Sequence, residues 1–274
     1  MDSADARDSK IPIFRLRGLR KSFDGREVLR GIDLDVHTGE TLVVMGPSGC
    51  GKSVMLKHLV GLLKPDAGSI EFHGTPIERA SEKTLIPIRR RIGFLFQQSA
   101  LFDSLTVFDN VAFPLRETGQ AGDDLRDRVH DTLARVGLAD TVDRMPAELS
   151  GGMRKRVALA RAVILNPEII LYDEPTTGLD PIRANVINDL IVRLQRELQI
   201  TSIVVTHDLD SAFQVGDRMV LLHHGRCHLE GEPDRFRTTE DPIARDFLEG
   251  RDAEGIDDAS PPGTLPVSDP ETVS

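Results

Sequence analysis

The chain has 274 residues, with 34 Lys and Arg against 44 Asp and Glu, and a formal net charge of −10. This acidic balance argues against a general nucleic-acid-binding protein, which usually presents a basic surface. Two cysteines make no disulfide framework, the first ten residues lack a signal-peptide pattern, and no apolar run approaches the ~18 residues that cross a bilayer, so we expect a cytoplasmic globular protein.

An alternating pattern near the start of the chain predicts two or three antiparallel strands. Apolar residues follow it at Phe14, Leu16, Leu19, Val28, Ile32, Leu34 and Val36. Residues 41–45 are apolar on both faces, as expected of a buried parallel strand. A glycine-rich turn follows, and residues 52–63 favour a helix.

Strand and helix patterns alternate again in the second half of the chain. Residues 169–172 and 202–205 predict two further buried strands. Between them, apolar residues at helical spacing predict one face of a long helix: Ile182, Val186, Leu190, Leu194 and Leu198. Strands alternating with helices indicate an α/β domain with a parallel sheet.

Two segments depart from this alternation. From about residue 97 to 165 the periodicity is helical, which predicts a helical lobe inserted into the α/β domain. From residue 249 to 274 acidic residues and prolines dominate and little can be buried, which predicts a disordered tail.

The most specific motif is GPSGCGKS at residues 46–53, a phosphate-loop pattern. Its glycines let backbone N–H groups surround a phosphate, its lysine neutralises phosphate charge, and its serine hydroxyl suits Mg²⁺. The motif predicts a nucleotide-binding site made of Gly46, Pro47, Ser48, Gly49, Cys50, Gly51, Lys52 and Ser53.

A second motif ends the apolar strand 169–172 with two carboxylates, Asp173 and Glu174. Asp173 suits contact with Mg²⁺, and Glu174 suits polarisation of the attacking water. Because strands often end in acidic residues, this motif is specific only in combination with the phosphate loop.

A third motif, LSGGM at residues 149–153, precedes a predicted helix over 154–165. Ser150 is a good N-cap, and Gly151 and Gly152 expose backbone N–H groups, which makes a second anion site. One phosphate loop needs no such site in its own subunit. We therefore expect two chains to pair head to tail, with each nucleotide between one chain's phosphate loop and the other's Ser150.

Together these motifs resemble the nucleotide-binding domain of ABC transporters over residues 12–248. The resemblance implies a P-loop NTPase fold with a RecA-like core, an antiparallel β subdomain and an inserted helical subdomain at about 97–165. It implies an enzyme that hydrolyses ATP with Mg²⁺, the ion being held by Ser53, Gln97 and Asp173.

The same resemblance implies roles for further residues, matched motif by motif. Phe23 occupies the place of the aromatic residue that stacks on adenine, and Gln97 the place of the glutamine that senses the transporter. Asp180 matches the aspartate that communicates across the dimer, and His207 the histidine that touches the γ-phosphate. Met153 stands where the family commonly has glutamine, while the adjacent serine and glycines are intact.

The chain resembles the ATPases of MCE/Mla phospholipid transport systems in its segments LSGGM, RKRVALARA and YDEPTTGLDPI. That resemblance implies a peripheral subunit on the cytoplasmic face of the inner membrane. Its partners would be a second copy of the chain, an integral permease, an MCE substrate-binding protein and a small STAS-domain protein, with no nucleic acid.

Three alternatives remain open. The first keeps the enzyme and changes the cargo to an amino acid, a metal or another small solute. The second is a soluble ABC protein acting on ribosomes or DNA, which the single phosphate loop and the acidic balance disfavour. The third is a kinase or GTPase, which would have a one-chain active site. The transported lipid and the direction of transport are not encoded in these motifs.

Overall fold

The computed structural model describes residues 12–251. The first of its two sheets is antiparallel. The alternating segment forms β1 (Phe14–Phe23) and β2 (Arg26–Val36), which pair directly, as predicted. Two strands that the sequence reading missed extend this sheet, β4 (Ala67–Phe72) and the short β5 (Thr75–Pro76). The strand order is β2-β1-β4-β5.

The second sheet has six strands in the order β10-β9-β3-β8-β7-β6. They are β3 (Thr41–Met45), β6 (Ile92–Leu95), β7 (Ile169–Asp173), β8 (Thr201–Thr206), β9 (Arg218–His223) and β10 (Arg226–Gly231). All neighbours pair in parallel except β9 and β10. Every residue of β3, β7 and β8 is buried, which confirms the three buried strands predicted from their continuous apolar runs.

Residues 12–251 contain nine α-helices: α1 (Lys52–Leu59), α2 (Glu82–Arg89), α3 (Val107–Glu117), α4 (Leu125–Arg135), α5 (Gly151–Val163), α6 (Pro181–Leu198), α7 (Leu209–Val215), α8 (Pro233–Arg237) and α9 (Pro242–Leu248). Two short 3₁₀ helices, Ala139–Thr141 and Pro146–Glu148, lie between α4 and α5. In the described part of the chain no helix is long and apolar enough to cross a membrane.

The connection from β6 to β7 is made by α3, α4, α5 and the two 3₁₀ helices. This agrees with helical periodicity in that stretch, and the domain limits 12–248 and 97–165 stay predictions. The chain divides into a compact unit up to Thr239 and a second unit from Glu240, in which α9 is the described helix. The predicted disordered tail, residues 249–274, falls outside the described residues from 252 onward.

The helix predicted over 52–63 is shorter in the structure, because α1 ends at Leu59. Gly61 has a φ of +66°, in the left-handed region that glycine adopts without strain. Its N–H donates to His58 O over 3.0 Å, and Leu62 N–H donates to Lys57 O over 2.9 Å. This pair of bonds is a Schellman motif, which ends a helix.

The predicted apolar face of α6 is correct only in the second half of the helix. Leu190 and Leu194 are buried, whereas Ile182 is 78% exposed and Val186 is 48% exposed. A row spaced every four residues drifts by about 40° per step, and so by about 160° over four steps. The row therefore winds from solvent to the core instead of marking one face.

Candidate functional site: the carboxyl edge of the parallel sheet

The turn between β3 and α1 is shaped by glycines in conformations that other residues rarely adopt. Gly46, Gly49 and Gly51 have φ values of +151°, +80° and +106°. A Cβ on Gly46 would lie 2.2 Å from the carbonyl oxygen of Leu222, so this position has no room for a side chain. Gly51 caps α1, whose first turn contains no acidic residue. The loop thus presents backbone N–H groups and the positive end of a helix dipole.

The Lys52 side chain lies across this loop and is 5% exposed. Its ammonium group donates to the carbonyl oxygens of Gly46, over 2.8 Å, and Pro47, over 3.0 Å. Glu174 Oε1 lies 3.9 Å from the same nitrogen. A buried cation is therefore held at the phosphate loop, next to the carboxylate that follows β7.

Ser53 and Asp173 meet across two elements. The Ser53 hydroxyl on α1 donates to Asp173 Oδ1 at the end of β7, over 2.6 Å. Burial raises the pKa of Asp173, and the bond from Ser53 opposes this rise. A hydroxyl and a carboxylate are hard oxygen donors of the kind that Mg²⁺ prefers, so the pair fits that ion.

Glu174 follows β7 in a left-handed backbone conformation, with φ of +50°, and is 7% exposed. Its Oε2 lies 2.9 Å from Nδ1 of His207 and accepts a hydrogen bond from the Thr177 hydroxyl over 3.1 Å. His207 follows β8, whose neighbours in the sheet are β3 and β7. The carboxyl ends of three adjacent parallel strands thus bring Lys52, Glu174 and His207 together, in the place where open α/β sheets bind ligands.

The LSGGM segment forms the start of α5, away from these contacts. Ser150 is the N-cap, and its hydroxyl accepts a bond from the Met153 N–H over 3.3 Å. Gly151 and Gly152 form the first turn, which carries no acidic residue. Among the described residues, Ser150 has no hydrogen bond or ion pair with the phosphate loop of its own chain.

Most of the remaining predicted residues lie on the surface. Phe23 ends β1, is 41% exposed, and has the Lys21 ammonium 5.4 Å from its ring centre. Asp180 caps α6 by accepting from the Arg183 N–H over 3.0 Å. Gln97 is exposed just after β6. Pro47, Ser48 and Gly49 form the exposed part of the phosphate loop, and Cys50 is half-buried behind it.

Sequence reading missed Lys155, which is 5% exposed on α5. Its ammonium donates to the carbonyl oxygen of Glu174 over 3.2 Å and, over a shorter distance, to that of Gln97. Burial lowers the pKa of Lys155, and the charges of Asp173 and Glu174 oppose this. The lysine belongs to the run RKR directly after LSGGM, and such a run is normally interpreted as the charged, exposed face of a helix. Within residues 12–251 no cluster of three or more His, Cys, Asp or Glu could hold a metal ion, and this includes His223, His224 and His228.

A protein-family model described as ABC transporter matches residues 29–177, more than half of the chain. The chain belongs to the ABC transporter family. It is an ATP-binding, ATP-hydrolysing member, which confirms the resemblance and the enzyme class predicted from the motifs.

Two relatives name different transport systems. The chain is 43% identical over 248 residues to the "Probable ribonucleotide transport ATP-binding protein mkl" of Mycobacterium leprae, covering 89% of this chain and 72% of that protein. It is 42% identical over 226 residues to the "Intermembrane phospholipid transport system ATP-binding protein MlaF" of Haemophilus influenzae, covering 82% of this chain and 86% of that protein.

A solved structure matches the fold. The ATP-binding cassette MJ0796, a dimer in a post-hydrolysis state bound to ADP and Pi, superposes with a TM-score of 0.73 and 34% identity. The match covers 80% of this chain and 98% of that one. The predicted fold class, a P-loop ABC ATPase of mixed α/β architecture, is confirmed.

Proposed function

We propose that two copies of this chain close around two ATP molecules, and that ATP hydrolysis drives lipid transport through a separate membrane permease. The observation that carries the proposal is the meeting of Lys52, Ser53, Asp173, Glu174 and His207 at one sheet edge. A dimeric relative with bound ADP and Pi supports the pairing.

Phosphate binding falls to the loop and to Lys52. The backbone N–H groups of residues 48–53 surround the β-phosphate, and the Lys52 ammonium exchanges its two carbonyl partners for phosphate oxygens. Phe23 presents its exposed ring to the adenine. The second anion site, at Ser150, Gly151 and Gly152, holds the γ-phosphate of the nucleotide carried by the other copy.

Metal binding falls to Ser53, Asp173 and Gln97. Mg²⁺, when bound, neutralises charge that develops on the β- and γ-phosphate oxygens. The Ser53 hydroxyl and the Asp173 carboxylate already lie 2.6 Å apart at the loop, so both are positioned for one ion. Gln97 supplies an exposed side chain at the end of β6.

The chemical step falls to Glu174 and His207. The Glu174 carboxylate orients a water molecule for in-line attack on the γ-phosphate and takes its proton, while the bond from the γ-phosphorus to the β–γ bridging oxygen breaks and ADP and inorganic phosphate are released. Thr177 and His207 fix the carboxylate by holding Oε2, and the exposed edge of His207 faces the γ-phosphate. Asp180 and Met153 lie at the contact between the two copies.

Coupling to a permease falls to the segment after β6. Phe102 is 41% exposed, and its ring centre is 4.8 Å from that of Phe113 on α3. An exposed aromatic residue five positions after Gln97 offers a contact surface for an integral membrane protein. We propose that the chain, with an ABC ATPase domain over 12–248, sits peripherally on the cytoplasmic face of the inner membrane.

A phospholipid cargo is the finer part of the proposal. It is supported by the likeness to a phospholipid-transport ATPase over 86% of that protein's length. An MCE substrate-binding protein and a small STAS-domain protein are the further partners. The competing proposal is transport of a small solute, which the likeness to a ribonucleotide-transport relative supports.

Two measurements test this function. Purified chain should release phosphate from ATP only with Mg²⁺, and Lys52→Ala should abolish turnover; activity retained by Lys52→Ala would refute the site. Affinity purification from membranes should recover an integral permease together with an MCE protein. Recovery of a permease with a soluble amino-acid-binding or metal-binding protein would refute the lipid cargo.

A further inference from the structure

Lys155 connects three parts of the molecule through one buried ammonium group. It belongs to α5, five residues after the N-cap Ser150. Its Nζ donates to the carbonyl oxygen of Gln97, on the segment after β6, and to that of Glu174, at the end of β7. The side chain is 5% exposed, so water does not compete for these bonds.

The bond from Lys155 to Glu174 supports a backbone conformation that is unfavourable by itself. Its left-handed φ of +50° is disfavoured for any residue with a Cβ, so the conformation persists only where neighbouring groups hold it. The Glu174 N–H donates to Val205 O over 2.9 Å, and the Thr177 N–H donates to Glu174 O over 3.3 Å. Lys155 supplies the charged donor to that same oxygen, over 3.2 Å.

We propose that Lys155 is a positioning residue that fixes the backbone of Glu174 and makes the aim of its carboxylate depend on where α5 and the Gln97 segment lie. The inference rests on the proposed role of Glu174 as the group that orients water. Because α5 begins at Ser150, a shift of this helix when it meets the other copy's nucleotide reaches Glu174 through Lys155.

Arg161 provides a matched control on the same helix. It is a half-buried cation on α5, and its guanidinium donates to the carbonyl oxygen of Ser99 over 3.0 Å. It therefore holds the same segment as Lys155 and has no contact with Glu174 among the described residues. Both variants remove a bond to the segment after β6, but only the Lys155 variant also removes a bond to Glu174. A difference between their rates therefore reports the bond to Glu174.

The experiment compares the ATPase kinetics of wild type, Lys155→Met, Lys155→Arg and Arg161→Met in the full chain with Mg²⁺. Lys155→Met should lower kcat on the order of tenfold to a hundredfold, because misplacing a reacting group costs rate rather than binding. Its KM for ATP should stay within about threefold of wild type, since Lys155 makes no phosphate contact in this proposal. Lys155→Arg keeps a buried donor and should restore most of the rate, and Arg161→Met should lose much less.

Wild-type kcat in Lys155→Met would overturn the inference, as would an equal loss in Arg161→Met. If thermal unfolding shows that Lys155→Met does not fold, Lys155→Gln decides: it must lose kcat without a change in KM, while Lys155→Arg keeps most of the rate. In a Glu174→Gln background, Lys155→Met should cause no further loss in single-turnover rate, whereas a full multiplicative loss would contradict the link. A wild-type chain without ATPase activity would instead refute the proposed function itself.

Discussion

Replacing Glu174 with glutamine removes the proposed proton acceptor while keeping the shape of the side chain. Glu174 is 7% exposed, and its Oε2 accepts the Thr177 hydroxyl over 3.1 Å. An amide oxygen can accept the same bond, so the packing and this hydrogen bond survive the substitution. The variant therefore measures the loss of the carboxylate with little loss of structure.

The expected loss of kcat is at least about a hundredfold, since general base catalysis contributes about 10²- to 10⁴-fold. ATP affinity should hold or increase. At the 3.9 Å between Glu174 Oε1 and Lys52 Nζ, the attraction is up to about 4 kcal/mol at an effective dielectric constant of about 20. Without this competitor, Lys52 is more available to the phosphates, and the variant should stall as an ATP-bound dimer.

Phosphate release measures the rate, and gel filtration with ATP and Mg²⁺ measures dimer formation. Glu168→Gln is the matched control, because this carboxylate pairs with Arg91 and His73 and has no contact with Lys52 or His207 among residues 12–251. It should keep kcat within about twofold. A Glu174→Gln chain that hydrolyses ATP at the wild-type rate would show that another group orients the water.

Two stability predictions follow from ion pairs that join separate segments. Arg218 is 9% exposed and pairs with Glu40 over 2.6 Å and with Glu230. Arg218→Met would leave these carboxylates without their partner, so it should lower the free energy of unfolding, measured in urea, by about 3 kcal/mol. An unchanged free energy of unfolding would contradict this prediction. The hydrogen bond from Arg91 lowers the pKa of the half-exposed Glu168 in the folded protein. The ion pair therefore stabilises the fold fully above the pKa that Glu168 has in the unfolded chain, and this stabilisation is lost as the pH falls through its pKa in the folded protein. Glu168→Gln should cost about 1 kcal/mol at neutral pH and progressively less as the pH falls through the folded pKa, whereas a cost that does not change with pH would refute the pairing.

The elements that could be predicted from sequence are those whose physical cause is contiguous in the chain. The strands β3, β7 and β8 are buried on both faces, so each appears as an unbroken apolar run. The phosphate loop is predictable because its glycine conformations and its lysine belong to one eight-residue segment. The N-cap role of Ser150 is likewise local, since it acts on the N–H three residues later.

What could not be predicted depends on contacts between distant segments. Lys155 finds Gln97 and Glu174 at separations of 58 and 19 residues, and helical spacing alone does not reveal that this lysine points inward. Ile182 was misplaced for a related reason, since which side of α6 is covered depends on what packs against it. The strands β4 and β6 are short or interrupted by polar residues, and only sheet pairing reveals them.

The most direct test of the nucleotide shared between two copies is subunit mixing. Ser150→Asp keeps a side chain that caps α5 but places a carboxylate where the partner's nucleotide phosphate should lie. Lys52→Ala removes the phosphate-loop cation. Each variant alone should be inactive, and an equal mixture should regain up to about a quarter of the wild-type rate, because half of the dimers are mixed and each has one intact site. A mixture as inactive as its components, or full activity in Ser150→Asp alone, would contradict the shared site.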